Sequence, residues 1–193
     1  MLPKFQSAYR SGHSAETALL RVLNDIRCAV DNGRVALVTL LDLSAAFDTI
    51  DHDILLSRLK KLGISSTPLK WLQFYLSGRT QRVAVEGEAL SEVHITCGVP
   101  QGSILGPILY SLCTVPLSAL IDSHHLSFHL YADDTMIFTT SNPDKDSFAA
   151  AKTSMERCCV DVKNWMAKSR LRLNADKTEF IIIGSKSHLQ LFP

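Results

Sequence analysis

Apolar positions along the chain fall into helical and strand-like stretches that alternate. In SAETALLRVLNDIRCAV, residues Ala18, Leu19, Val22, Leu23, Ile26 and Val30 recur on one side at helical spacing. Ser14 is placed to cap that helix and Glu16 lies in its first turn, with Thr17 a poor capping-box partner and Asn32-Gly33 the end. VALVTLLDL, an unbroken run of aliphatic and β-branched residues, predicts a buried strand. ILLSRLKKLGI predicts an amphipathic helix closed by Gly63, and TPLKWLQFYLSG another with Pro68 at its start. The helical spacing of Trp71, Phe74 and Tyr75 assigns them to the core first, with stacking on bases as the alternative.

QRVAVEG and EVHITCG alternate apolar and polar residues and predict a strand pair around Gly87. Gly106-Pro107 opens the apolar segment PILYSLCTVPLSALI, a helix that Pro116 is expected to kink or break. LSFHLYA and TMIFTT pair as a hairpin across Asp133 and Asp134. A long helix from about Asp146 to Lys168 follows, then LRLN and EFIIIG as two short strands. Strand pieces interleaved with helices predict an α+β fold whose sheet is covered on one face.

At 193 residues and 46% hydrophobic, the chain can bury one sizeable core with a small appended lobe. No stretch reads as apolar enough to cross a membrane, and MLPKFQSAYR lacks the apolar core of a signal peptide. Five cysteines with no CxxC pair argue against a disulfide framework or zinc module, so reduced, intracellular thiols are expected. The net charge of +1 conceals an uneven distribution. Between Ile54 and Val85 there is no acid, whereas Arg58, Lys60, Lys61, Lys70, Arg79 and Arg82 supply six cations. A solvated helix face or a phosphate-backbone partner would account for that run. Asp42, Asp48, Asp51 and Asp53 form an acidic block.

The stretch FHLYADDTMIF places Asp133 and Asp134 side by side between two apolar runs. Adjacent carboxylates repel and are costly to bury unless a cation or donors compensate them. A solvated hairpin tip is one reading and a metal site the other. Asp42 ends a buried strand about 90 residues earlier. Were these elements sheet neighbours, three carboxylates would meet, an oxygen-rich set suited to Mg²⁺ or Mn²⁺. Two such ions about 4 Å apart can clamp an in-line displacement at phosphorus. His124, His125 and His129 enter one strand without a third ligand on the face of His125 and His129, so they read as solvated or core-edge histidines.

Five blocks appear in order across nearly the whole chain: QSAYRSGHSAETALLRVLNDI, LLDLSAAFDTIDH, GVPQGSILGPILYSLCTVPL, YADDT and LRLNADKTEF. In these the chain resembles the reverse transcriptases of non-LTR (LINE-type) retrotransposons, of the CR1/L2-like kind. The resemblance implies an antiparallel polymerase palm sheet of ferredoxin-like, split βαβ type, backed by helices. It casts Asp42, Asp133 and Asp134 as catalytic ligands of two Mg²⁺ ions, with the Leu43 carbonyl a further oxygen ligand. The backbone of Ser44, Ala45 and Ala46 would follow the triphosphate of an incoming dNTP. Phe47 matches a steric gate that leaves no room for a 2′-hydroxyl, though an aromatic so close to a strand end also suits core packing. Gln101 matches a residue packed near the nucleotide sugar, and Gly102 would allow close approach of backbone to substrate. Lys177 matches a lysine near the departing pyrophosphate. Arg10 matches an arginine of the fingers that meets triphosphate or template backbone.

The resemblance further implies an RNA template, a DNA primer or target, no membrane partner and a nuclear location. Residues 1–34 are expected as partial fingers, 35–51 as palm, 52–96 as fingers-side helices and hairpin, and 97–193 as palm, with thumb and endonuclease absent. Ser11 stands where the family commonly has proline, and Tyr110 where it has phenylalanine. An RNA-dependent RNA polymerase palm and a catalytically incompetent truncated fragment that binds nucleic acid or has no activity are the rival expectations. Phe47 argues against the first.

Overall fold

The computed structural model describes residues 2–85, 88–100 and 102–190. Its elements run α1 (Ala15–Asp31), β1 (Val35–Ser44), α2 (His52–Lys61) and α3 (Ser66–Leu76). Four two-residue strands follow: β2 (Thr80–Gln81), β3 (Ala84–Val85), β4 (Glu88–Ala89) and β5 (Val93–His94). Then come α4 (Leu105–Ser123), β6 (Ser127–Tyr131), β7 (Asp134–Ser141), α5 (Lys145–Lys168), β8 (Arg172–Ile183) and the short α6 (Lys186–Leu189). Two compact units emerge, one from Ala45–Cys113 and the other from Leu2–Ser44 with Thr114–Pro193.

The second unit is built on a four-stranded antiparallel sheet ordered β6-β7-β1-β8. Val35, Ala36 and Leu37 of central β1 are all fully buried, which successive side chains on opposite faces require only if both faces are covered. Ala36 and Val38 pack with Val22 and Ile26 of α1 and with Phe138 of β7. Thr39, on the opposite face, meets the Cys159 thiol of α5. Helices therefore lie on both faces of the sheet rather than one, and the unbroken apolar run of β1 is the cause. Full burial of each valine or leucine side chain in this run stabilises the fold by about 1.5–3 kcal/mol.

Because Val22 and Ile26 belong to this core, α1 is part of the sheet's unit, although the sequence placed it with the fingers. Thr17 completes a capping box after all. Its amide donates to Ser14 Oγ at 3.2 Å, and Thr17 Oγ1 accepts from the Ser14 amide at 2.8 Å. Residues before α1 cover the free edge of β6. Ser7 N–H donates to Leu130 O, Leu130 N–H donates to Phe5 O, and Ser7 Oγ lies 2.8 Å from Nε2 of buried His129. His124 pairs instead with Asp161 at 3.0 Å, and both His124 and His125 precede β6 rather than entering it.

Helix α4 runs through Pro116 without ending, its Leu109, Leu112, Cys113, Leu117 and Ile121 all buried. Contrary to expectation, this helix is long and apolar enough, by length and composition, to cross a membrane. Half of its most apolar stretch is buried within the protein, as in a core helix.

In the Ala45–Cys113 unit, Leu55 and Leu59 bury the inner face of α2, and Asp51 caps it by accepting from Ile54 N–H at 2.9 Å. The predicted strand pair forms as two short ladders, β3 with β4 and β2 with β5, its Glu86-Gly87 tip lying outside the described residues. Helix α3 turns Leu76 fully inward and half-buries Leu69 and Leu72. Trp71 and Phe74 are exposed, which corrects their assignment to the core. The α3 sequence carries two apolar stripes, and the leucines take the inner one.

Candidate active site

Asp42 sits near the end of β1, where pairing with β8 is irregular. Leu40 pairs with Glu179 and Asp42 with Asn174, so Ala175–Thr178 bulge out between those two partners. Thr178 Oγ1 closes the bulge by donating to Asn174 O at 2.9 Å. LRLN and EFIIIG are thus halves of one strand rather than two strands, and the intervening ADKT residues form the protrusion. A bulge re-aims side chains locally, and this one brings Lys177 beside the partner strand. Lys177 Nζ lies 3.7 Å from Asp42 Oδ2, and Asn174 Nδ2 donates to the same oxygen at 3.2 Å. The Asp42 side chain is 24% exposed, whereas Lys177 is 70% exposed. An ion pair this open to water holds its lysine by about 1 kcal/mol or less, so Lys177 is readily recruited by another anion.

The second carboxylate segment is the β6–β7 hairpin. Tyr131 pairs with Asp134, leaving Ala132 and Asp133 as a two-residue loop with Ala132 in the left-handed region at φ 53°. On the other edge of β7, Thr135 pairs with Leu41. Asp134 and Asp42 each lie one residue beyond that pair. Partial desolvation, then the negative charges of Asp133 and Asp42, raise the Asp134 carboxyl above the ordinary carboxylate range, and Lys177 opposes them. Asp133 is half-buried, and its charge also raises the phenol of Tyr9, second to desolvation.

Asp42, Tyr131, Asp134 and Lys177 line one cavity of about 720 Å³, together with Asp176, Glu179 and the Glu16 end of α1. Asp42 and the YADD hairpin thus share one cavity, which the hairpin lines through Tyr131 and Asp134 and not through Asp133. Among the described residues, no group of three or more His, Cys, Asp or Glu side chains is arranged to hold a metal ion. The donor set nevertheless fits a hard divalent cation. It is all oxygen, and the desolvation and neighbouring negative charge that together raise Asp134 favour added positive charge. Mg²⁺ characteristically takes one or two carboxylates and fills its remaining positions with water and substrate phosphates.

The other expected residues are distributed as follows. Leu43 is buried and pairs with Leu173, and Ser44 pairs with Arg172. Ala45 begins the other unit at φ 50° and its carbonyl accepts from the amides of Asp48 and Thr49, closing a turn over buried Ala46. The half-buried Phe47 ring rests on fully buried Tyr110, with centroids 5.0 Å apart. Gly102 has a φ of +75°, and among the described residues beyond its chain neighbours nothing lies within 4 Å of a Cβ built on it. Gln101 lies outside the described residues. Arg10 is exposed, reaches Pro3 O at 3.4 Å and does not line the cavity. Asn174, Asp176, Glu179 and Tyr9 were not expected at the site. The first three lie within the quoted LRLNADKTEF block, but only the β1–β8 register reveals which side chains face Asp42.

The reverse transcriptase (RNA-dependent DNA polymerase) family profile matches residues 1–189. An RNA-directed DNA polymerase from mobile element jockey of Drosophila melanogaster is 32% identical over 192 residues, covering 96% of this chain and 20% of that protein. A probable RNA-directed DNA polymerase from transposon BS of the same fly is 30% identical, covering 92% and 20%. The chain thus spans about a fifth of the length of these relatives. Among solved structures, apo telomerase from Candida tropicalis superimposes with a TM-score of 0.68 at 15% identity, covering 95% of this chain and 37% of that one. Telomerase from Candida albicans gives 0.63 at 12% identity, covering 90% and 31%. At such identities these two show a shared fold. With the family profile extending over nearly all of its length, the chain belongs to the reverse transcriptases, and its relatives are proteins of non-LTR retrotransposons.

Proposed function

We propose that this chain is the polymerising core of a retrotransposon reverse transcriptase, extending a DNA primer on an RNA template. The primer 3′-hydroxyl attacks the α-phosphorus of a dNTP and pyrophosphate leaves. The observation that carries this reading is the convergence of Asp42, Asp134 and Lys177 on one cavity large enough for a nucleotide.

Asp42 and Asp134, with Asp133 beside them, would hold the Mg²⁺ or Mn²⁺ ions, and the Leu43 carbonyl would contribute a further oxygen. A bound ion supplies positive charge to phosphate oxygens and to the attacking hydroxyl. Lys177, loosely tied to Asp42, turns to the departing pyrophosphate and offsets its charge. The turn at Ser44–Ala46 runs beside the triphosphate, Phe47 excludes a 2′-hydroxyl by collision, and the Gln101–Gly102 loop packs near the sugar. In the parent element this activity would copy the element's RNA onto a nicked chromosomal target in the nucleus, with Arg10 available to a phosphate.

Primer extension on poly(rA)/oligo(dT) with Mg²⁺ tests the reading. Asp42→Asn, Asp133→Asn and Asp134→Asn should each lower extension by roughly 100-fold or more, as expected when a charge-stabilising group at a phosphoryl-transfer site is removed. Extension that survives any of the three at wild-type rate refutes the site.

A further inference from the structure

Beyond the cavity, α3 carries a second constellation. Its core-facing stripe is Leu69, Leu72 and Leu76, which leaves three aromatic residues for the adjoining surface. Trp71 is 53% exposed and Phe74 78% exposed. The Trp71 and Tyr75 rings stack with centroids 5.6 Å apart and planes 12° from parallel. The Arg79 guanidinium lies over the Tyr75 ring, 4.5 Å from its centroid, and Arg79 Nε donates to Tyr75 O at 2.7 Å. Indole, phenol and guanidinium thus form a layered ladder, with Phe74 on the next turn beside it.

An exposed phenylalanine next to an exposed tryptophan is apolar surface that a partner normally covers. The charge of this segment points to the partner. Lys60, Lys61, Lys70 and Arg82 are exposed in a stretch with no carboxylate between Ile54 and Val85. A second copy of this patch would bring like charges together. Exposed flat rings on a segment rich in exposed cations are complementary to unpaired bases on a phosphate backbone.

We propose that the α3 surface is a binding platform for single-stranded nucleic acid, with bases stacking on Trp71 and Phe74 and phosphates meeting Lys70, Arg79 and Arg82. It rests on the polymerase reading only for the reason a strand is present, because the platform uses neither metal nor dNTP. A strand held there is tethered to the enzyme independently of the catalytic carboxylates. RNA and DNA strands share the chemistry that the platform recognises.

Trp165→Phe leaves Trp71 as the sole tryptophan, so its emission reports directly on this surface. The full chain is titrated in EDTA, without dNTP, with oligo(U), oligo(dT) and a blunt duplex, each of about 12 nucleotides. The expected result is saturable quenching of Trp71 by one or both single strands and not by the duplex, the tighter strand identifying the natural ligand. Phe74→Ala should weaken binding roughly fivefold or more, and Trp71→Ala, followed by fluorescence anisotropy of labelled strand, should do the same. Trp71→Phe should restore most of the affinity. Both sites are exposed, and an unchanged circular dichroism spectrum verifies the fold. Equal quenching by the duplex, affinities within twofold of wild type for both alanine variants, or quenching that follows protein concentration without any strand each overturns the proposal. Asp42→Asn should abolish primer extension yet leave this quenching intact, so the platform and the catalytic site fail independently.

Discussion

Replacing Gly98 with alanine offers a sharp test of how the loop leading to Gln101 is built. Gly98 adopts a φ of +87°, and a Cβ placed on it falls 2.9 Å from Asp48 O and 3.2 Å from Asp48 Cα. The atoms it meets are backbone, so no side chain can swing aside. The backbone is also pinned. Gly98 N–H donates to Ile50 O at 2.7 Å, and Gly98 O accepts from His52 Nε2 at 2.7 Å. For Gly98→Ala the left-handed conformation costs about 1–2 kcal/mol. Reduced freedom of the unfolded chain offsets about 0.4–1 kcal/mol of that. The clash adds about 1–3 kcal/mol, as for other overpacked sites. Gly78→Ala is the matched control, because Gly78 has a φ of +65° with nothing within 4 Å, so it carries the first two contributions alone. With a urea slope of about 2 kcal/mol per molar, the Gly98→Ala midpoint should fall about 0.5–1.5 M below that of Gly78→Ala. Fluorescence and circular dichroism melts in urea measure both. Coincident midpoints would refute the close-approach argument.

Further expectations concern the site. Phe47→Ala should raise ribonucleotide incorporation in single-nucleotide extension by roughly tenfold or more, and unchanged sugar selectivity would leave Phe47 merely as packing on Tyr110. Chelation of divalent ions should abolish extension and added Mg²⁺ or Mn²⁺ restore it, whereas rescue by Zn²⁺ alone would contradict the all-oxygen donor set. Because the Asp134 carboxyl is raised, its protonated form is favoured in the native state. Stability from this group is therefore present below the unfolded carboxylate pKa and is lost as pH rises through the raised native value. In divalent-free buffer Asp134→Asn should be more stable than wild type at pH 7, and the gap should close below about pH 4 in thermal melts. A gap that persists at low pH would show that ionisation of Asp134 is not its source.

Much of this architecture is legible in the sequence because it depends on local pattern. The Ser14 cap, the apolar run of β1 and the hairpin around Asp133 follow from spacing and residue type alone. What escapes local reading is settled by a partner far along the chain. The residues LRLN and EFIIIG look like separate strands because ADKT interrupts them, yet pairing with the ten-residue β1 carries both through one ladder and forces four residues outward. For α3, periodicity finds two apolar stripes, and only the packing of the helix decides that leucines enter the core while Trp71 and Phe74 face water. Thr17 is a weak capping residue by preference, but its hydroxyl still reaches the Ser14 amide.

The candidate site divides along the same line. Asp42, Asp133 and Asp134 can be found from sequence because a charge at the end of a buried strand breaks the pattern around it and demands compensation. Asn174 and Lys177 break no pattern, since polar residues in a polar segment are unremarkable. Their relation to Asp42 exists only through the β1–β8 register, in which the bulge places Lys177 3.7 Å and Asn174 3.2 Å from one carboxylate oxygen. Restoring a regular ladder by shortening Ala175–Thr178 would leave Asp42, Asp133 and Asp134 in place and still remove the cation that offsets them. The reactive electrostatics of the cavity therefore reside in an irregularity of strand pairing as much as in the acids themselves.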